Sequence, residues 1–196
     1  YDRAVRLHRQ ALEAYEASGA RAGIAAETFE LGNIHLARHE LDEAAEVLER
    51  ALAAWEALGQ RRNIAPVLAN LGLVFRERGD PARALAMYER AGRLQAEAGD
   101  RRGAALTLGN VGSVRRDLGE TAKAAEAFQR AIDELEGLRD PVATAEVLAK
   151  LASLRLAERD PSAALELSRR AVARLSLAGR DLAPTEGLAA RERVAL

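Results

Sequence analysis

Residues 71–91 read LGLVFRERGDPARALAMYERA. Two apolar stretches at helical spacing are broken there by Gly79-Asp80-Pro81. Glycine takes up the left-handed conformation that ends a helix, Asp80 is of N-cap type, and proline suits a first helical position, where its N–H would have no partner. These landmarks recur at an interval of 40. Leu71-Gly72 is matched by Leu31-Gly32, Val111-Gly112 and Leu151-Ala152. Ala84 answers to Ala44, Ala124 and Ala164, and Ala91 to Ala51, Ala131 and Ala171. Between them a larger slot holds Leu48, Tyr88, Phe128 and Ser168.

The punctuation predicts two helices per copy, at about 23–38, 41–58, 63–78, 81–98, 103–118, 121–137, 141–158 and 161–178. Gly79 and Gly119 end first helices; Gly59, Gly99 and Gly179 end second ones. Asp140-Pro141 and Asp160-Pro161 repeat the start signal, with Glu40-Leu41 and Glu120-Thr121 at matching sites. Asn63, with Pro66 in its first turn, opens the first helix of the second copy. A small residue at a helix crossing allows close approach. Gly32 and Gly72 are therefore expected where the two helices of a copy meet, with Leu48 or Tyr88 filling the gap. One helix pair cannot bury its apolar face alone, so copies stack around a continuous core.

The full copies span 23–62, 63–102, 103–140 and 141–180. Residues 1–22 carry Ala4, Ala11 and Tyr15 and read as the second helix of a truncated copy, while 181–196 read as a partial copy or a capping helix. The chain begins at Tyr1 rather than Met, so a fragment or a processed chain is expected.

Composition agrees with an all-α class. Apolar residues make up 48% of the 196, yet aromatics only 4%, so the core is built from Ala and Leu. Lysine stands only at Lys123 and Lys150. The balance of 29 Lys+Arg against 30 Asp+Glu gives no pull toward phosphate backbones or anionic lipid, so neither nucleic acid nor membrane is an expected partner. Without cysteine, disulfides and thiolate chemistry are excluded. No apolar run approaches the ~18 residues of a membrane span and no signal-peptide pattern is present; a cytoplasmic location is expected.

The columns resemble the tetratricopeptide repeat, which places Leu, Gly, Ala, a large residue and Ala in this order. The period of 40 exceeds the family's usual length of about 34. It is similar to the repeats of kinesin light chains, of the Leu-Gly-Asn adaptors and of sensor arrays in bacterial regulators; Leu31-Gly32-Asn33 spells that triplet. The resemblance covers about residues 1–180 and departs from the family in lacking the proline near the end of the second helix. It implies a right-handed α-solenoid of stacked antiparallel helix pairs, with first helices lining a concave face.

Chemistry is sparse. His35 and His39 have the i, i+4 spacing of a ligand pair, with Glu40 and Glu43 near by, but sequence fixes no third ligand and His35 occupies a packing slot. No metal site and no cofactor are expected. The chain has no phosphate-cradling loop and no nucleophile elbow, and Glu46-Arg50 and Glu126-Arg130 read as paired charges on solvated faces. A non-enzyme is expected.

The resemblance places a partner surface at fixed offsets from the glycine column. Those offsets select Phe29, Asn33 and Leu36 in the first copy, and Asn70, Leu73, Arg76 and Glu77 in the second. They select Asn110, Ser113, Arg116 and Asp117 in the third, and Lys150 and Ser153 in the fourth. The row Asn33, Asn70, Asn110 could hold an extended chain through its backbone, since one amide both donates and accepts; the alternative is that each asparagine bonds a neighbour or faces water. The expected function is a protein-interaction scaffold taking a peptide or partner helix. The alternative is a ligand-sensing array of a larger bacterial transcription regulator or signal-transducing NTPase. Self-association through the end helices is a third expectation.

Overall fold

The computed structural model describes residues 2–181, with side-chain detail to Ser176. Among the described residues there are nine α-helices and no strand: α1 Asp2–Ser18, α2 Arg21–Ala37, α3 Leu41–Ala57, α4 Arg61–Glu77, α5 Pro81–Glu97, α6 Arg101–Asp117, α7 Thr121–Gly137, α8 Pro141–Ala157 and α9 Pro161–Asp181. The chain divides into two compact units, Tyr1–Arg130 and Ala131–Leu196.

The helices from α1 to α8 are all 17 residues long. Between neighbours a left-handed residue recurs at Gly19, His39, Gly59, Gly79, Gly99, Gly119, Arg139 and Arg159. The period of 40 is thus two helix-plus-turn steps of equal length. Glycine fills five of these turns; at His39, Arg139 and Arg159 a side chain bears the left-handed strain.

Four boundaries differ from expectation. The helices α2, α4 and α6 begin at Arg21, Arg61 and Arg101, two residues before the predicted starts. Pro66 therefore lies inside α4, past its first turn. Pro66 and Arg62 are exposed, so water can supply the hydrogen bond that proline withholds from the Arg62 carbonyl. Gly179 ends nothing: α9 runs through it to Asp181. The expected partial copy at 181–196 falls, after Asp181, outside the described residues.

The aspartate caps hold. Asp80, Asp100, Asp140 and Asp160 accept from the backbone N–H of Arg83, Gly103, Ala143 and Ala163 at 3.0, 2.8, 2.9 and 3.0 Å. That backbone N–H, with the Arg83 guanidinium, holds the Asp80 carboxyl below its usual range. Glu40 makes no such cap. Its longer side chain reaches back to His35 at 2.6 Å, and Glu120 reaches Arg115 in the same way at 2.5 Å.

In the first unit one core runs through α2–α5, from Ala25 and Ala44 to Tyr88 and Ala91. The small column does what its spacing predicts. A Cβ placed on Gly32 would stand 2.6 Å from Leu48 Cδ2, on Gly72 2.9 Å from the Tyr88 ring, and on Gly112 2.7 Å from Phe128 Cδ1. In the second unit the matching positions are Ala152 and Ser168: where the column gains a methyl, the slot loses its large side chain. The core there is built from Ile132, Leu135, Leu148, Leu151 and Leu154.

Tyr88 is 2% exposed, and burial pushes its phenol upward from the ordinary 10.0. A raised folded-state pKa means stability is intact below the unfolded value and is lost as pH rises past it. The wild type should therefore lose stability steeply above about pH 10, while Tyr88→Phe, which keeps the ring, should flatten that limb. Urea midpoints that fall equally from pH 9 to 11 in both proteins would refute this.

The ion pairs include many that join consecutive copies, unlike the expected Glu46-Arg50 and Glu126-Arg130 pairs. Arg38 meets Asp2 and, one copy on, Arg78 meets Asp42 at 3.0 Å. Arg90 meets Glu56, and Arg174 meets Glu136 at 2.5 Å. Among the described residues no helix is long and apolar enough to cross a membrane.

Candidate functional site

The helices α2, α4 and α6 carry the candidate residues of the first unit. Each presents the same register position one copy apart, because all three have equal lengths and equal turns. Asn33, on α2, and Asn70, on α4, come together: Asn70 Nδ2 donates to Asn33 Oδ1 at 2.6 Å. Asn33 Nδ2 in turn donates to Glu30 Oε2 at 3.3 Å. The result is a polarised chain of two amides ending on a carboxylate. Each amide offers two N–H donors and two lone pairs, so these bonds leave capacity on both side chains. Asn110 stands half-buried on α6 at the third position of the row.

The apolar candidates Phe29, Leu36 and Leu73 are partly buried and pack against the core. Each therefore offers an edge of ring or alkyl surface held in a fixed rotamer. Phe29 also lines a cleft of about 240 Å³ with Ala26, Glu30, Trp55, Asn63 and Pro66. Trp55, Asn63 and Pro66 were no part of the predicted site. Asn63 and Pro66 read in sequence only as helix-start punctuation, and Trp55 lies on the second helix of its copy.

The charged candidates are drawn into pairs. Arg76 Nε, on α4, donates to Asp117 Oδ2, on α6, at 2.5 Å, and Arg116 Nη2 donates to the other oxygen of Asp117 at 3.1 Å. Asp117 thus clamps two arginines from consecutive first helices. Glu77 Oε2 lies 3.2 Å from His39 Nδ1. Exposed pairs of this kind add about 0–1 kcal/mol each to stability, so their weight lies in fixing side-chain direction.

Ser113 departs from the expected surface position. It is 4% exposed, and its short side chain folds back to donate to the Gly109 carbonyl at 3.3 Å. In the second unit, Ser153 is exposed on α8, and Lys150 pairs with Glu146 at 2.8 Å, one helical turn away.

The histidine spacing does not give a ligand pair. His39 lies past the end of α2 in the left-handed turn, so His35 and His39 do not share a helix face. His35 bonds Glu40, and His8 bonds Glu27 of α2 at 2.7 Å. Among the described residues no three His, Asp or Glu side chains converge on a cation position.

Residues 24–97 match the model of the tetratricopeptide repeat family. The curated protein sequences give no match. Among solved structures, the chain is similar to BtubC (BKLC) from P. vanneervenii, with a TM-score of 0.72 at 19% identity over 81% of this chain. That alignment spans 66% of the BtubC chain, just under two thirds of its length. A putative kinesin light chain with nearly identical TPR-like repeats from Podosopora anserina gives a TM-score of 0.65 at 16% identity, covering 91% of this chain and 96% of that one. MamA gives 0.62 at 16% identity, covering 90% and 89%. These likenesses establish the fold, an α-helical repeat of tetratricopeptide type, which is typical of protein–protein interaction scaffolds.

Proposed function

We propose that the first unit is a non-catalytic interaction scaffold that holds an extended peptide along α2, α4 and α6. One observation carries the reading: Asn70 donates to Asn33 across consecutive first helices, making a row of amides in place of isolated side chains. Amides on consecutive first helices match the peptide groups of an extended chain in kind, since each can donate and accept. Phe29, Leu36 and Leu73 supply apolar contact beside the row, and Arg76, Arg116, Asp117 and Glu77 set its charge register. The Phe29–Trp55–Pro66 cleft, at about 240 Å³, is below the ~300–1,000 Å³ usual for small-molecule sites. That volume suits one side chain of a bound segment.

Backbone recognition predicts a particular outcome. In a titration against a peptide library, Asn70→Ala/Asn110→Ala should weaken binding by about tenfold across sequences, since two lost hydrogen bonds cost about 0.5–1.5 kcal/mol each. Identical affinities for wild type and double variant would defeat the proposal.

A further inference from the structure

The cleft between α2, α3 and α4 has a chemistry of its own. Ala26, Phe29, Trp55 and Pro66 form its apolar sides, and Glu30 and Asn63 bring its polar groups. None of these six residues carries a positive charge, and Glu30 carries a negative one. Trp55 is buried and Phe29 packs against the core, so both rings are fixed before anything binds.

The two polar side chains have accepting capacity to spare. Glu30 Oε2 accepts one long bond, 3.3 Å from Asn33 Nδ2, and no Arg, Lys or His among the described residues pairs with it. Other carboxylates of the unit, Glu56, Glu89 and Glu97, each meet an arginine of another helix. Asn63 Nδ2 donates to Gln60 Oε1 at 2.9 Å, which leaves the Asn63 carbonyl oxygen as an acceptor. An aliphatic stem ending in a cation engages all of these groups. The stem covers ring and proline surface, while the head meets the carboxylate, the amide oxygen and the aromatic rings, which attract cations.

Position ties the cleft to the amide row. Glu30 precedes Asn33 by three residues on α2, and Pro66 precedes Asn70 by four on α4. At helical spacing, that sets the cleft one turn along the same faces from the two amides. A chain lying on the row therefore passes its opening. The combination belongs to the first copy: at the same positions one copy on stand Pro66, Ala69, Asn70, Gln95, Gly103 and Leu106, with neither a ring nor a carboxylate.

We propose that this cleft takes a lysine or arginine side chain of the bound peptide, so that the scaffold selects segments with a basic residue at one point. The proposal rests on the peptide reading given above and adds the partner's chemistry at one position.

Trp55 is the only tryptophan of the chain, so intrinsic emission reports on the cleft. The probes are the end-capped peptide STVTRTVST and its versions with Lys, Leu or Glu at the centre, titrated into the full chain by calorimetry and by fluorescence. Their Thr and Val background favours extended backbone, and a row that reads peptide groups lets the central side chain slide into register. The Arg and Lys peptides should bind about tenfold more tightly than the Leu peptide, the scale of one hydrogen bond to a charged group. The Glu peptide should bind more weakly still, and the basic peptides should shift the Trp55 emission. Glu30→Gln keeps the shape and removes the charge, so it should bring the Arg and Leu peptides to equal affinity; circular dichroism verifies its fold. Asn70→Ala/Asn110→Ala should weaken all four peptides alike and keep the Arg-over-Leu ratio. Equal affinities for the Arg and Leu peptides in wild type, or a preference that survives Glu30→Gln, overturns the cleft proposal and leaves the row to be judged by the double variant. A Glu30-dependent preference with no effect of the double variant overturns the row and upholds the cleft. Failure of all four peptides to bind overturns both.

Discussion

Phe128→Ala is expected to lower stability by about 3–5 kcal/mol, the range for truncating a fully buried aromatic side chain. Phe128 is 0% exposed and stands directly over Gly112, whose missing side chain gives the ring its room. Removing the ring leaves a void faced by a bare backbone on one side. Small neighbours on the same helix, Ala124 and Ala131, are already fully buried and have no rotamers with which to fill it. Closure would require α6 and α7 to approach as rigid bodies, which the fixed three-residue turn resists. The cost therefore belongs toward the upper part of the range for a site that collapses poorly. Urea unfolding followed by circular dichroism measures it; a loss under 1 kcal/mol would show that the ring is not a packing element.

The reciprocal experiment overfills the same kind of site. Gly72→Leu should destabilise by about 1–3 kcal/mol, the usual cost of forcing extra atoms into a packed core. Even a first carbon at this position would stand 2.9 Å from the Tyr88 ring, closer than side chains approach, and Tyr88 is 2% exposed and has nowhere to swing. The helices α4 and α5 would have to separate, loosening the core on both sides. The fourth copy shows the compensated form, Ala152 with Ser168 in the large slot. Gly72→Ala should accordingly cost less in a Tyr88→Ser background than alone, with a coupling energy of about 0.5–3 kcal/mol for residues in contact. Unchanged thermal melts for Gly72→Leu, or strict additivity in the cycle, would contradict the crossing geometry.

The site was legible in outline and not in its bonds. Spacing put Asn70 and Asn110 at one register position, one copy apart, and set Asn33 three residues off that column, in the column of Leu73 and Ser113. Spacing could not reveal that Asn70 donates to Asn33, because a side-chain hydrogen bond between copies depends on the separation of α2 and α4, a product of the whole core between them. Ser113 shares the same column logic, yet a serine short enough to bond its own helix turns away from the surface. The histidine spacing meets a related limit: i, i+4 is a helical statement, and His39 lies in the turn two residues past Ala37, where α2 ends.

What the sequence alone determined is the all-α class, the 40-residue period and the partner of each glycine in the column. These follow from local rules: helix propensity, capping, and the fact that a missing Cβ must face something large. It misplaced the starts of three helices and the end of α9, where Pro66 and Gly179 carried signals that the surrounding helices overrode. Only tertiary structure decided which polar side chains bond one another, which charges join consecutive copies, and which apolar stripe stays uncovered. Leu165, Val172 and Leu175 look in sequence like any other buried stripe of the array. They are exposed on α9 where Ala45 and Trp55 are buried at the same register on α3, because burial is a property of neighbours.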